Sequence, residues 1–325
     1  MCLPKRFFWI TLLLFFCLSG AVNAQPGESG DLAIKRVSDT ILRHRTLLLP
    51  DPFSASRALR RLFPGKWYDL GKRYGGTRPE RLINWSCPRC KPLDFPTANM
   101  LDSIGFPSRG GVATRPITLF SYIDSEGRPN KVISFNHSEY DPDGLQYGRF
   151  FGGILGMARF VQVDSGWQLA IFQPAIGAYG AFSSSPPPEP LLIGDHQYGY
   201  IIDHQNGPPG GPFEQDKYLV AEVGKSYRQI LAAYDTRRYN VDSINCSWDC
   251  TYKVLPGEKT SFRDIAIICR GQYFATDKEG LPGELKEKVK GCEHGNFKIT
   301  HVFVYSENKE EYEERLPAQV SIQKK

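Results

Sequence analysis

Beyond about residue 115 the apolar residues of this chain leave a helical period and alternate at every second position. Ile117, Leu119 and Tyr122 belong to one such run and residues 132–135 to another, with Asp124-Ser125-Glu126-Gly127 turning between them. Residues 158–163 and 167–172 flank Asp164-Ser165-Gly166. Residues 218–223 and 227–232 flank Gly224-Lys225, and residues 262–269 and 272–275 flank Arg270-Gly271. Each of the last three pairs reads as a β-hairpin. Residues 191–193 and 199–202 read as short strands, residues 297–305 as a last one, and the acidic run 307–314 as a short helix or a solvated tail. Short strands between Gly-rich turns, with no alternating βα units, predict an antiparallel β sandwich or barrel-like domain over residues 111–325. A parallel Rossmann-like sheet is not expected, on the same ground.

Residues 25–110 read differently, as a helical and irregular segment, so the fold class is mainly β with an α+β character. Leu32, Val37, Ile41, Leu42 and Leu48 fall near a 3.6-residue period and predict an amphipathic helix over residues 31–49, stopped by Pro50. Asp51-Pro52 opens a second helix whose stripe is Phe53, Leu59, Leu62 and Phe63, ended by Pro64-Gly65. Thr97 is placed to cap a short third helix carrying Met100, Leu101 and Ile104.

The amino terminus reads as an export signal spanning residues 1–24. Lys5 and Arg6 precede an apolar run over residues 7–18, and Val22-Asn23-Ala24 supplies small residues for cleavage before Gln25. The run is about 12 residues, whereas spanning a bilayer takes about 20, so no stable membrane insertion is expected after cleavage. The expected compartment is secreted or periplasmic. Without Lys5 and Arg6 the chain keeps 38 of its 40 Lys and Arg against 35 Asp and Glu. That balance, and the lack of any Lys/Arg block, argues against a nucleic-acid partner.

Export sets the chemistry of the six cysteines that follow the signal: Cys87, Cys90, Cys246, Cys250, Cys269 and Cys292. An even count in an oxidising compartment predicts disulfides. The most local pairing is Cys87–Cys90, Cys246–Cys250 and Cys269–Cys292. Only the last closes a long loop, which would restrain the unfolded chain by roughly 3 kcal/mol.

Trp85-Ser86-Cys87-Pro88-Arg89-Cys90-Lys91 is the sharpest local motif. A cation beside two cysteines favours the attacking thiolate. The stretch resembles the active-site loop of thioredoxin-like oxidoreductases, with a Trp before and a Lys after C-x-x-C. Arg115-Pro116-Ile117-Thr118 is similar to their cis-proline segment. The resemblance implies thiol–disulfide exchange at Cys87 and Cys90. Pro92 and Pro96 would break the helix that should follow, so a structural disulfide is the favoured reading. Four-cysteine zinc, from Cys87, Cys90, Cys246 and Cys250, is a further arrangement these residues allow. No cofactor or metal is expected.

Asp195-His196 and Asp203-His204 form a doublet suited to acid–base or metal chemistry. On one extended strand the two histidines would lie about 27 Å apart, and they would meet only if the chain turned at Gly199. His137 with Glu139, Asp141, Asp143 and Gly144 offers hard oxygens of the kind calcium takes, but without an EF-hand register it reads as a turn. Trp85 and Trp248, with His196 and His204, are the ligand-binding candidates. Trp248 sits inside the expected Cys246–Cys250 ring, which would hold it exposed and rigid for a sugar ring or partner protein. No nucleophile-elbow or phosphate-loop motif is present. The expected function is therefore a binding or structural module for a glycan or protein ligand. A polysaccharide or cell-envelope hydrolase, and a thiol–disulfide oxidoreductase, are the alternatives.

Overall fold

The computed structural model describes residues 31–324 apart from 74–79, 100–102, 145–147, 149, 208–212, 240–244, 278, 287 and 290–292. The expected signal, Cys292, Met100 and Leu101 therefore lie outside the described residues. From Asp31 onward the chain belongs to one unit. Strands β1 (Lys35–Arg36) and β2 (Leu48–Leu49) flank a 3-10 turn over Asp39–Leu42. Helix α1 (Ala55–Leu62) follows, then β3 (Lys66–Asp69), the single-turn α2 (Leu70–Arg73), β4 (Arg81–Ser86), β5 (Leu93–Phe95) and β6 (Ile104–Phe106). Four long strands come next: β7 (Val112–Ile123), β8 (Pro129–Glu139), β9 (Gly153–Val163) and β10 (Gly166–Tyr179). Then come β11 (Glu189–Gly194), β12 (Gln197–Asn206), β13 (Phe213–Val223) and β14 (Ser226–Tyr239). The last four are β15 (Ser247–Val254), β16 (Ile265–Phe274), β17 (His294–Ser306) and β18 (Glu311–Lys324).

The strands form two eight-stranded sheets and a small β5–β6 ribbon. The first sheet runs β1-β4-β7-β8-β9-β10-β2, with β3 also on β4. The second runs β11 to β18 in strict chain order. The fold is thus mainly antiparallel β, as the alternating pattern requires; the two-residue β1–β4 pairing is parallel.

Of the expected helices only the second forms. Ser54 caps α1 by accepting from Arg57 N, and Ala58, Leu59 and Leu62 are buried; each leucine contributes about 1.5–3 kcal/mol of burial. The segment 31–49 is not helical. Sheet edges satisfy its backbone instead: Lys35 and Arg36 pair with Trp85 and Ser86, Leu48 and Leu49 with Gln168 and Trp167, and Leu32 N donates to Pro142 O at 2.7 Å. A helix of this length is marginal by itself, and an open strand edge competes with it for the same donors. Ile104 lies in β6 and not in a third helix.

Two expected hairpins form at the predicted turns, with Val163 opposite Gly166 and Val223 opposite Ser226. The third does not. Arg270-Gly271 runs through the middle of β16, paired with β15 on one side and β17 on the other. A Cβ at Gly271 would overlap Ser247 O and the Trp248 side chain, so this glycine permits close approach between strands and not a turn. The acidic run is neither helix nor tail: residues 307–310 turn into β18.

Three large apolar clusters hold these layers, beside a small one of Leu32, Leu70 and Leu82. The first lies on one face of the first sheet, where Leu59, Leu62 and Phe63 meet Trp85, Phe135 and Phe160. The second lies between the sheets, with Leu155, Met157 and Ile171 against Tyr200, Ile202 and Val220. The third fills the other side of the second sheet and joins residues from β11 through β18, so that sheet curls into a half-barrel. The β15–β16 loop closes the curl, with Arg263 N donating to Ile193 O at 2.7 Å and Phe262 N to Gln197 Oε1 at 3.0 Å.

Cys87 and Cys90 are bonded as expected, with Cα atoms 5.3 Å apart. The other pairings are corrected. Cys250 bonds Cys269, directly opposite it across β15 and β16. Cys246 precedes β15, and four residues of extended chain span about 13 Å, too far for a Cys246–Cys250 bridge. Cys246 is buried and forms no disulfide among the described residues, its Sγ 3.4 Å from Phe274 N. Non-reducing peptide mapping should therefore recover Cys250 linked to Cys269; a Cys246–Cys250 peptide would contradict this register. The double variant C250A/C269A should lose about 3 kcal/mol in urea unfolding, and C87A/C90A roughly half that, because its loop is so short.

Candidate binding cleft

A meander brings every second turn to the same end. At one end of this fold the turns β7–β8, β11–β12, β13–β14 and β17–β18 surround a cleft of about 470 Å3. Its floor joins the sheets. Arg159 on β9 donates from NH1 to Asn130 Oδ1 at 2.9 Å and from NH2 to Glu222 Oε1 on β13 at 3.0 Å. Its Nε is buried without a partner among the described residues. The network continues to the rim: Asn130 Nδ2 donates to Asp124 Oδ2 at 3.1 Å, and Arg128 Nε donates to the same carboxylate at 3.1 Å.

Tyrosines form the walls. Tyr122 from the first sheet and Tyr198 from the second have ring centroids 5.0 Å apart, and Phe120 lies 5.0 Å from Tyr198. Deeper in, Tyr200 and Tyr227 meet edge to face at 6.0 Å. Alternation explains this: Tyr198, Tyr200 and Ile202 are two apart on β12 and face the first sheet, while Ile201 faces the third core.

Burial raises the Glu222 carboxyl above its ordinary value, and the neighbouring Arg159 offsets that only in part. Burial by itself would lower Arg159, but Glu222, Tyr122 and Tyr227 around it hold its charge and raise it. Tyr122, Tyr200 and Tyr227 are all pushed up by burial and stay neutral phenols. The floor is thus a fixed ion pair among neutral hydroxyl groups and aromatic faces, able to exchange hydrogen bonds with a polyhydroxylated ligand. On the rim, Asp195 pairs with Arg263 and Glu310 with Arg228.

Of the four ligand-binding candidates Trp85, Trp248, His196 and His204, only His196 reaches this cleft, exposed on the β11–β12 turn with φ 57°, beside Asp195. His204 does not join it, because Gly199 is a paired residue inside β12 and not a turn. It is buried, and its Nδ1 accepts from Gly180 N at 2.8 Å. Trp85 is buried, stacked on Phe63 at 5.7 Å. Its Nε1 donates to Thr114 Oγ1 at 2.7 Å. Trp248 is buried as well; no disulfide ring holds it out, and its Nε1 donates to Asp235 O at 2.7 Å. Cys87–Cys90 belongs to the first core and Cys250–Cys269 to the third. Cys90 is followed by β5, and the bond before Pro116 is not among the cis peptides of the described residues, so the likeness to a thioredoxin loop does not extend to the surrounding fold.

The acidic loop after His137 is a turn. Asp141 Oδ1 accepts from Asp143 N at 2.9 Å, and Asp141 O from Gly144 N at 3.0 Å. Among the described residues no group of three His, Cys, Asp or Glu side chains converges as metal ligands do. The cleft residues Tyr122, Arg159, Tyr198 and Glu222 escaped the sequence reading. Their one signal was Tyr198-x-Tyr200, two aromatics on one strand face beside a turn.

His137 is equally buried. Pro174 O, 3.0 Å from its Nε2, can only accept, so Nε2 carries the proton and Nδ1 accepts from Thr114 Oγ1 at 2.7 Å. Burial pushes His137 down to about 3, the Pro174 carbonyl offsetting only part, and His204 down to about 4. Both folded values lie below the unfolded value of about 6.5. The unfolded chain therefore takes up these protons first as pH falls. Stability should be complete above about pH 6.5 and decline toward about pH 4, by about 1.4 kcal/mol per pH unit for each histidine. Urea unfolding at pH 7, 6 and 5 should show that decline, and H204Q should halve it; a flat profile would contradict neutral burial.

Compared with known proteins, the chain matches no family model, no curated protein and no solved structure, so the cleft is interpreted on its own chemistry.

Proposed function

We propose that this chain is an exported glycan-binding protein that holds a sugar in the cleft between its two sheets. One observation carries the reading: Tyr122 and Tyr198, contributed by opposite sheets, stand 5.0 Å apart above the Arg159–Glu222 pair. Sugars present apolar C–H faces and a rim of hydroxyls. Aromatic rings match the first, and a fixed guanidinium–carboxylate pair flanked by phenols matches the second. Because the floor network runs through three strands and two sheets, the polar groups are held in place before a ligand arrives, which lowers the ordering cost of binding. Export rests on the amino-terminal signal and agrees with two disulfides and with the finding that no described helix is long and apolar enough to cross a membrane.

A hydrolytic role has one specific support, the raised carboxyl of Glu222, a property of general acids. Arg159 at 3.0 Å favours its ionised form and so favours binding over proton donation.

Purified protein lacking residues 1–24 should retain glycans on an array, and Y198A should weaken calorimetric affinity about tenfold, or about 1.4 kcal/mol, with little change in melting temperature. Absence of any glycan retention would overturn the proposal. Product release from cell-envelope polysaccharide that disappears in E222Q would replace it with the hydrolase.

A further inference from the structure

A second surface is built on the solvent side of β15–β18, away from the third core. Cross-strand register sets Arg237, Asp249, Arg270, Lys298 and Ser321 in one continuous row. Beside it runs a second row, Ser247, Gln272, Asn296 and Gln323. Neighbouring strands lie about 4.8 Å apart, so each row is a ladder of side chains at regular intervals. The alternate residues Trp248, Cys250, Phe297 and Ile299 turn inward, which commits both ladders to solvent. Together they line an open groove of about 800 Å3, flanked by Arg238 and Tyr239 at the end of β14.

The charge pattern is the informative part. Asp249 is engaged by Arg237 at 3.6 Å, and Arg238 by Glu214 at 2.7 Å. Arg270 and Lys298 are exposed and directly opposite each other, and neither forms an ion pair among the described residues. Like charges at facing positions of a sheet are destabilising. Asp249 faces Arg270 from the other side but forms its ion pair with Arg237, so an anion lying across β16 and β17 would be held by both cations. The amide and hydroxyl ladder next to them supplies donors and acceptors for hydroxyl groups. Apart from Tyr239 the exposed part of the groove has no aromatic ring for base stacking, which single-stranded nucleic acids use.

We infer that this groove binds a linear anionic polysaccharide, its carboxylate or sulfate groups on Arg270 and Lys298 and its hydroxyls on Gln272, Asn296 and Gln323. The groove shares no lining residue with the cleft, so this inference stands or falls separately from the glycan reading of the cleft. Titration of the protein lacking residues 1–24 with alginate and with dextran sulfate, at 50 and 200 mM salt, tests it. Binding of at least one polymer is expected, with affinity falling as salt rises. R270S/K298S should weaken it tenfold or more, while R270K/K298R keeps it and K35S, which removes a charge from the first sheet, leaves it unchanged. Preference between the polymers tells carboxylate from sulfate as the recognised group. No binding of either polymer at 50 mM salt, full affinity in folded R270S/K298S, or tighter binding of single-stranded DNA would each overturn it.

Discussion

The arrangement depends on the central strands of the second sheet being buried on both faces. Along β12 and β13, Tyr200, Ile202, Tyr218 and Val220 pack toward the first sheet, while Ile201, Leu219 and Ala221 pack into the half-barrel. Side-chain direction has a period of two, so a one-residue slip of β13 against β12 would exchange these two sets and empty both cores. The register is therefore over-determined, and everything at the strand ends inherits that rigidity. Tyr198 lies two residues before Tyr200 and Glu222 directly follows Ala221, which is why a cleft floor made of long side chains can keep fixed distances.

The ion pair on that floor is better explained by position than by stability. Bringing two charges partly out of water costs more than their attraction usually returns. Arg159 and Glu222 offset this with Asn130 and with each other, yet one buried guanidinium donor is left over. An apolar pair would close the gap between the sheets at lower cost. That a charged pair stands where the intersheet core gives way to solvent is what makes the end of the sandwich a polar cleft and not an apolar seam.

The β pattern was readable because turns and alternation act locally. Asp164-Ser165-Gly166 and Gly224-Lys225 lie between runs that need only each other to pair, and both hairpins form there. Arg270-Gly271 looks the same in sequence, but its glycine answers to Trp248 on another strand. The stretch 31–49 has a helical period, yet it pairs with edge strands of a sheet about 50 to 120 residues away in the chain. Cys250 and Cys269 became partners through the β15–β16 register, which no count of intervening residues discloses. The cleft was hidden for the same reason: Tyr122, Arg159, Tyr198 and Glu222 come from four strands of two sheets, and only His196 among the four ligand-binding candidates shares their rim.

An up-and-down meander also limits where such a chain can place recognition chemistry. Its inward residues are committed to cores, so the available positions are the turn clusters at the ends and the outward ladders of strands with one free face. In the second sheet, β12 and β13 have no free face, and β15 to β18 do. An end cluster converges on one point, which suits a compact ligand gripped from several sides. A ladder repeats at the strand spacing, which suits a polymer with a repeat of its own. The tyrosines and the isolated ion pair fall in the first kind of place and the unpaired cations with their amide row in the second, so the chemistry at each follows the geometry that the topology leaves open.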